Sequence, residues 1–107
     1  MSQFADNLKK LPGISHLAAI NLLDGEGSVV AAIENKPGSQ GSLAVYNHLA
    51  QTYGAITAEA AKKGLEIYAE HTEDARAHPG KHPNIDRLLE IEAGGKTLRA
   101  KHVFAAV

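Results

Sequence analysis

The stretch Ile85-Asp-Arg-Leu-Leu-Glu-Ile-Glu-Ala-Gly-Gly-Lys-Thr-Leu-Arg-Ala100 reads in two ways, and the choice decides the fold. Ile85, Leu88 and Leu89 stand at helical spacing, whereas Leu89, Ile91 and Ala93 alternate as a strand does. Cross-strand pairing favours the strand. With Gly94-Gly95 as a two-residue turn, Ile91 opposes Leu98 and Leu89 opposes Ala100 on one face, while Glu92 opposes Thr97 and Glu90 opposes Arg99 on the other. Each pair contributes roughly 0.2 to 1 kcal/mol, so the segment is expected to be a hairpin.

Working towards the N-terminus, β-compatible runs at Leu17–Leu23 and 28–34 flank Asp24-Gly-Glu-Gly27, a strong turn signal. Pairing Leu23 with Ser28 sets Leu22 against Val29, Ile20 against Ala31 and Ala18 against Ile33, an apolar face. The opposite face is mixed, with Asn21 against Val30, Ala19 against Ala32 and Leu17 against Glu34. Between the hairpins the period is helical. Residues 43–53 carry Leu43, Tyr46, Leu49 or Ala50, and Tyr53 on one side, with Ser42 as cap and Gly54 as terminator. A second helix starts at Thr57 with Glu59 in its first turn, buries Ala61, Leu65, Tyr68, Thr72 and Ala75, and stops at Pro79-Gly80. Phe4, Leu8 and Leu11 mark a short helix over 2–11, with Ser2 as cap and Pro12-Gly13 as stop.

The expected architecture is therefore α+β, one domain over 1–107, in the order α-β-β-α-α-β-β. Two hairpins make a four-stranded antiparallel sheet with the helices on one face. Its uncovered face would expose Leu17, Ala19, Val30 and Ala32, which predicts a homodimer that buries them.

Composition narrows the function classes. Apolar residues are 44% and charged residues 21%, ordinary values for a folded domain, while aromatics are only 5% and leave the core to small aliphatics. Eleven basic against twelve acidic side chains give a net charge of −1. With no basic run longer than a pair, neither a nucleic-acid nor a membrane-surface footprint is expected. Cysteine is absent, which removes disulfides, thiol catalysis and thiolate metal ligands. The N-terminus lacks a basic, then apolar, leader pattern, so a cytoplasmic location is expected.

Two constellations carry chemistry. In Asn35-Lys-Pro-Gly-Ser-Gln-Gly-Ser42 a glycine- and serine-rich turn leads into a helix, where unpaired amides and the positive end of the helix dipole favour an anion. Lys36 supplies charge, Gly38 and Gly41 allow close backbone approach, and Ser39, Gln40 and Ser42 offer hydrogen bonds. The turn lacks the ending of a Walker loop and the three-glycine dinucleotide fingerprint. The second constellation is His71, Asp74, His78 and His82. On a helix the first three fall within about 60° of one another, and His82 can fold back from the Pro79-Gly80 turn, a set suited to zinc or another divalent ion. It matches no zincin spacing, and a solvated helix face explains the same residues.

No nucleophile elbow or paired-carboxylate pattern is present, and no catalytic residue is assigned. His102, alternating inward with Leu98, Ala100 and Phe104, reads as a packed or rim histidine. The expected function is a non-enzymatic module binding a small anion or a protein partner, with no cofactor. The alternative is a divalent-metal-dependent hydrolase built on the His71, His78 and His82 region, where the metal activates water.

Three segments, Asn35-Lys-Pro-Gly-Ser-Gln-Gly-Ser-Leu-Ala-Val-Tyr-Asn47, Glu70-His-Thr-Glu-Asp-Ala75 and Gly80-Lys-His-Pro-Asn-Ile-Asp-Arg87, resemble a family of small proteobacterial proteins of unknown function. The resemblance covers nearly the whole chain. It implies a bacterial cytoplasmic protein and brings no activity, substrate or catalytic residue with it.

Overall fold

In a computed structural model, which describes residues 3–106, the 85–100 segment is a helix followed by one strand, not a hairpin. The elements in order are α1 (Phe4–Leu8), β1 (Leu17–Leu23), β2 (Val29–Glu34), α2 (Gln40–Tyr53), α3 (Ala58–Tyr68), α4 (Glu70–Ala77), α5 (Pro83–Glu92) and β3 (Arg99–Phe104). The fold is α+β as expected, but the antiparallel sheet has three strands in the order β2-β1-β3.

The helix wins at residues 85–92 because tertiary burial outweighs the cross-strand pairs. Pro83 opens α5 at a position that needs no backbone N–H, and Ile85, Leu88 and Ile91 are all buried at a spacing of three. Gly94-Gly95 then ends the helix. Gly94 takes φ 110°, and the Gly95 amide donates to Glu90 O at 2.9 Å, the long-range bond of a Schellman ending. A side chain at 95 would place Cβ 2.7 Å from Glu90 O, so this glycine is there for the close approach. Leu88 in turn reaches the bare backbone of α3, where a Cβ on Gly64 would lie 2.7 Å from Leu88 Cδ1 and 2.9 Å from Leu49 Cδ1.

The first hairpin forms where expected, with a shifted register. Ile20 pairs with Ile33 and Leu22 with Ala31, two residues from the expected alignment, and an irregularity lies between Leu22 and Leu23. A two-residue shift preserves the faces, so Ile20, Leu22 and Ile33 still enter the core. The turn is tied by Asp24 Oδ1, which accepts from the amides of Glu26 at 2.9 Å and Ser28 at 3.0 Å. Leu17 departs from expectation. It is buried, because a bulge between Leu17 and Ala19 in the pairing with β3 re-aims it into the core.

The helix expected from Thr57 to the Pro79-Gly80 stop is two helices. Ala69, at φ 51° and ψ −115°, breaks it after Tyr68, and Thr72 Oγ1 donates to Leu65 O at 2.6 Å across the break. The buried stripe survives intact: Ala61, Leu65, Tyr68, Thr72 and Ala75 are all buried. At the other helix, α2 starts at Gln40 with Ser39 in the cap position, so Ser42 lies in the first turn and is not the cap. Its end at Gly54, φ 80°, is as expected. The Ser2 cap proposed for α1 lies outside the described residues.

The layers follow from these faces. α2 lies against all three strands, α3 packs on α2, and α5 packs on α3. Where α2 meets the sheet, Asn47 is fully buried and its Oδ1 accepts from His102 Nε2 at 2.9 Å, so His102 is a packed histidine. Among the described residues the large hydrophobic side chains left exposed are Val29 at 57%, Val30 at 52% and Phe104 at 68%.

Candidate functional site

The two constellations that the sequence separates by about thirty residues meet across one cavity of about 520 Å³. One wall is the entry to α2, with Gly38, Gln40, Gly41 and Ser42; another is Tyr68 at the end of α3 and His71 in α4. Lys81, His82, Pro83, Asn84 and Ile85 close it from the start of α5, and Phe4 and Leu8 of α1 stand over it.

Local chemistry explains why each wall holds its place. The turn before α2 is pinned by Ser39 Oγ, which donates to Glu34 O at 2.6 Å, and by Gln40 Nε2, which donates to Asn35 Oδ1 at 3.0 Å. Asn35 Nδ2 donates in turn to Ile14 O and Leu17 O at 3.1 and 2.8 Å, fixing the turn to the start of β1. The Leu43 amide donates to Ser39 O at 3.0 Å, the first bond of the helical ladder. The amides of Gln40, Gly41 and Ser42 stand ahead of that ladder, at the positive end of the helix. From Leu43 onward the amides are spent within the helix.

The 78–82 turn is fastened from both sides. Gly80, at φ 92°, donates its amide to Asp86 Oδ2 at 2.9 Å. Asp74 Oδ2 receives His82 Nε2 at 2.6 Å and Lys81 Nζ at 3.1 Å, and Asp74 Oδ1 lies 3.8 Å from His78 Nε2. The hydrogen bond from His82, then that from Lys81, holds the Asp74 carboxyl down at about 2. A carboxylate ionised in this way only accepts, so the His82 proton facing it is on Nε2.

Hydroxyls line the inner end. Tyr68 donates to Ser42 Oγ at 2.7 Å, and burial pushes the Tyr68 phenol far above its ordinary value, so it stays a donor. Behind it, the Tyr46 hydroxyl donates to Asn84 O, Arg87 Nη1 donates to Asn84 Oδ1 at 2.9 Å, and the Arg87 guanidinium lies 5.7 Å from the Tyr46 ring centre. Burial raises the Tyr46 phenol to about 12 against the opposing charge of Arg87. These contacts tie the start of α5 to α2.

Gly38, Gln40, Gly41, Ser42, His71 and His82 thus share the cavity. Lys36 does not: it is exposed and pairs with Glu34 at 3.3 Å. Ser39 turns its hydroxyl to the backbone. The cation beside the cavity is Lys81, which sequence reasoning passed over because nothing in the spacing shows that the Pro79-Gly80 turn folds towards residue 41. Of the four metal candidates, Asp74, His78 and His82 cluster, while His71 stands with its ring centre 5.9 Å from that of His82. Among the described residues no three histidine, aspartate or glutamate side chains gather as a metal-ligand set. Lys81 Nζ lies 3.1 Å from Asp74 Oδ2.

Among the described residues no helix is long and apolar enough to cross a membrane. No curated protein and no solved structure matches the chain. A family model does match, over residues 4–102, which takes in every element of the fold up to the middle of β3 and both walls of the cavity. The chain belongs to the family described as an uncharacterized protein conserved in bacteria (DUF2322).

Proposed function

We propose that the protein is a binding module for a small anion, held in the cavity between the start of α2 and the Lys81-His82 turn. The observation that carries this reading is the convergence of leading helix amides, a lysine and two histidines on one concave space of about 520 Å³. An oxyanion placed there accepts from the amides of Gly41 and Ser42 and faces Lys81. Asp74 offsets part of the positive charge, which keeps the ligand-free site from being a bare cationic patch. Thermal-shift measurements with phosphate, sulfate and small carboxylates test the reading. A ligand at a hundred times its dissociation constant stabilises by about 2.7 kcal/mol, and Lys81→Ala is expected to reduce that shift while Lys36→Ala leaves it. A larger shift from zinc or manganese than from any anion would favour the metal-dependent hydrolase instead.

A second reading concerns self-association through β2. This strand is hydrogen-bonded to β1 on one side only, and its Val29 and Val30 are 57% and 52% exposed. Between Val29 and Glu34 it carries no lysine or proline to discourage pairing. Alignment with β2 of a second copy would extend the sheet and pair the open backbone edge of β2. Light scattering at micromolar concentration distinguishes the dimer this reading expects from a monomer.

A further inference from the structure

Resting on the anion reading above, we propose that the natural ligand carries its oxyanion on a planar ring, as an aryl or heteroaryl phosphate or carboxylate does. The cavity wall is a chain of rings. Tyr68 and Phe4 stack with centroids 5.1 Å apart and planes 24° from parallel, Phe4 meets His71 edge-on at 5.1 Å, and His71 meets His82 at 5.9 Å. The whole chain has only two phenylalanines, three tyrosines and six histidines, so the concentration of rings here is not a matter of abundance.

Phe4 is the residue that needs explaining. It belongs to a five-residue helix with no fully buried residue, and its half-buried ring packs on the edge of the core against Tyr68. It is also held: its amide donates to Glu70 Oε1 at 2.8 Å, and Asn7 Nδ2 of the same helix donates to Ile67 O at 2.9 Å. The ring rests on the first turn of α2, where a Cβ on Gly41 would lie 3.1 and 3.2 Å from its Cζ and Cε2. Glycine weakens a helix, and at 41 its missing side chain lets the ring lie beside the leading amides. An oxyanion held by those amides therefore has an aromatic ring as its immediate neighbour. The volume agrees, since about 520 Å³ falls within the roughly 300 to 1,000 Å³ of sites that take organic ligands, more than inorganic phosphate fills.

Calorimetric titration of the intact protein with inorganic phosphate, cyclohexyl phosphate and phenyl phosphate tests the proposal. Phenyl phosphate is expected to bind at least tenfold more tightly than inorganic phosphate, with cyclohexyl phosphate between them. Phe4→Leu, which keeps apolar bulk and removes the ring, is expected to bring phenyl phosphate to the cyclohexyl level and leave inorganic phosphate unchanged. Phenyl phosphate binding no tighter than inorganic phosphate overturns the ring and leaves the anion site standing. Equal losses for both ligands in Phe4→Leu overturn it too, as a structural role of Phe4. If none of the three binds, the anion reading itself fails. The comparison on the unmodified protein decides the matter without any variant.

Discussion

His82 Nε2 donates to Asp74 Oδ2 at 2.6 Å, a bond that holds the turn after α4 back against α4 itself. The same oxygen takes Lys81 Nζ at 3.1 Å, so a single carboxylate orients both groups that face the entry to α2. The arrangement positions a cation without burying it.

Acid should release that anchor. The Asp74 carboxyl is lowered from 3.8 to about 2 by its hydrogen bonds. A depressed carboxyl contributes stability that is complete above its unfolded value and is lost as pH falls through its folded value. The loss attributable to Asp74 is therefore expected between pH 4 and 2. Urea unfolding of the wild type and Asp74→Asn should show a stability difference at pH 5 that narrows progressively as the pH falls from 4 to 2. A difference independent of pH would mean that the charge of Asp74 does not anchor the turn.

Packing at Gly64 leaves no room for a side chain between α3 and its neighbours Leu88 and Leu49. Gly64→Ala gains about 1 kcal/mol of helix propensity, but its methyl meets Leu88 and Leu49, both fully buried, and overpacking costs about 1 to 3 kcal/mol. A net loss of about 1 kcal/mol is expected. Leu88→Ala should cost about 2 to 5 kcal/mol by leaving a cavity, and combining the two changes should cost less than their sum. Additive denaturation midpoints would show that Leu88 does not sit on Gly64.

Much of this fold was legible because its signals are local. The hairpin turn at Asp24, the Gly54 ending and the buried stripe of α3 and α4 each follow from a few neighbouring residues. The second hairpin failed for a non-local reason: Gly94-Gly95 terminates a helix as readily as it turns a hairpin, and only the α3 surface at Gly64 shows that Leu88 must face it. Leu17 was misplaced because a bulge is invisible to strict alternation. At the site, the loop from Gly38 to Ser42 and the histidines were each picked out separately. Their meeting was not, since it depends on the break at Ala69 and the folding back of Lys81 and His82.

Self-association should depend on the β2 edge. Val30→Lys places a charge on an exposed edge position, which discourages strand pairing, and is expected to convert a dimer to a monomer in light scattering with an unchanged circular dichroism spectrum. A wild-type protein that is monomeric at every concentration, or a Val30→Lys variant that remains dimeric, contradicts pairing through β2.

An oxyanion bound between the first turn of α2 and the Lys81-His82 turn would perturb the amides of both. A ¹H–¹⁵N NMR titration with inorganic phosphate reads those amides one by one. Concentration-dependent shifts are expected at Gly41, Ser42, Lys81 and His82, with Gly25 and Lys96 at distant turns unmoved, and weakening of the effect with added salt. Shifts confined to other surfaces, or none at millimolar phosphate, would contradict an oxyanion bound there.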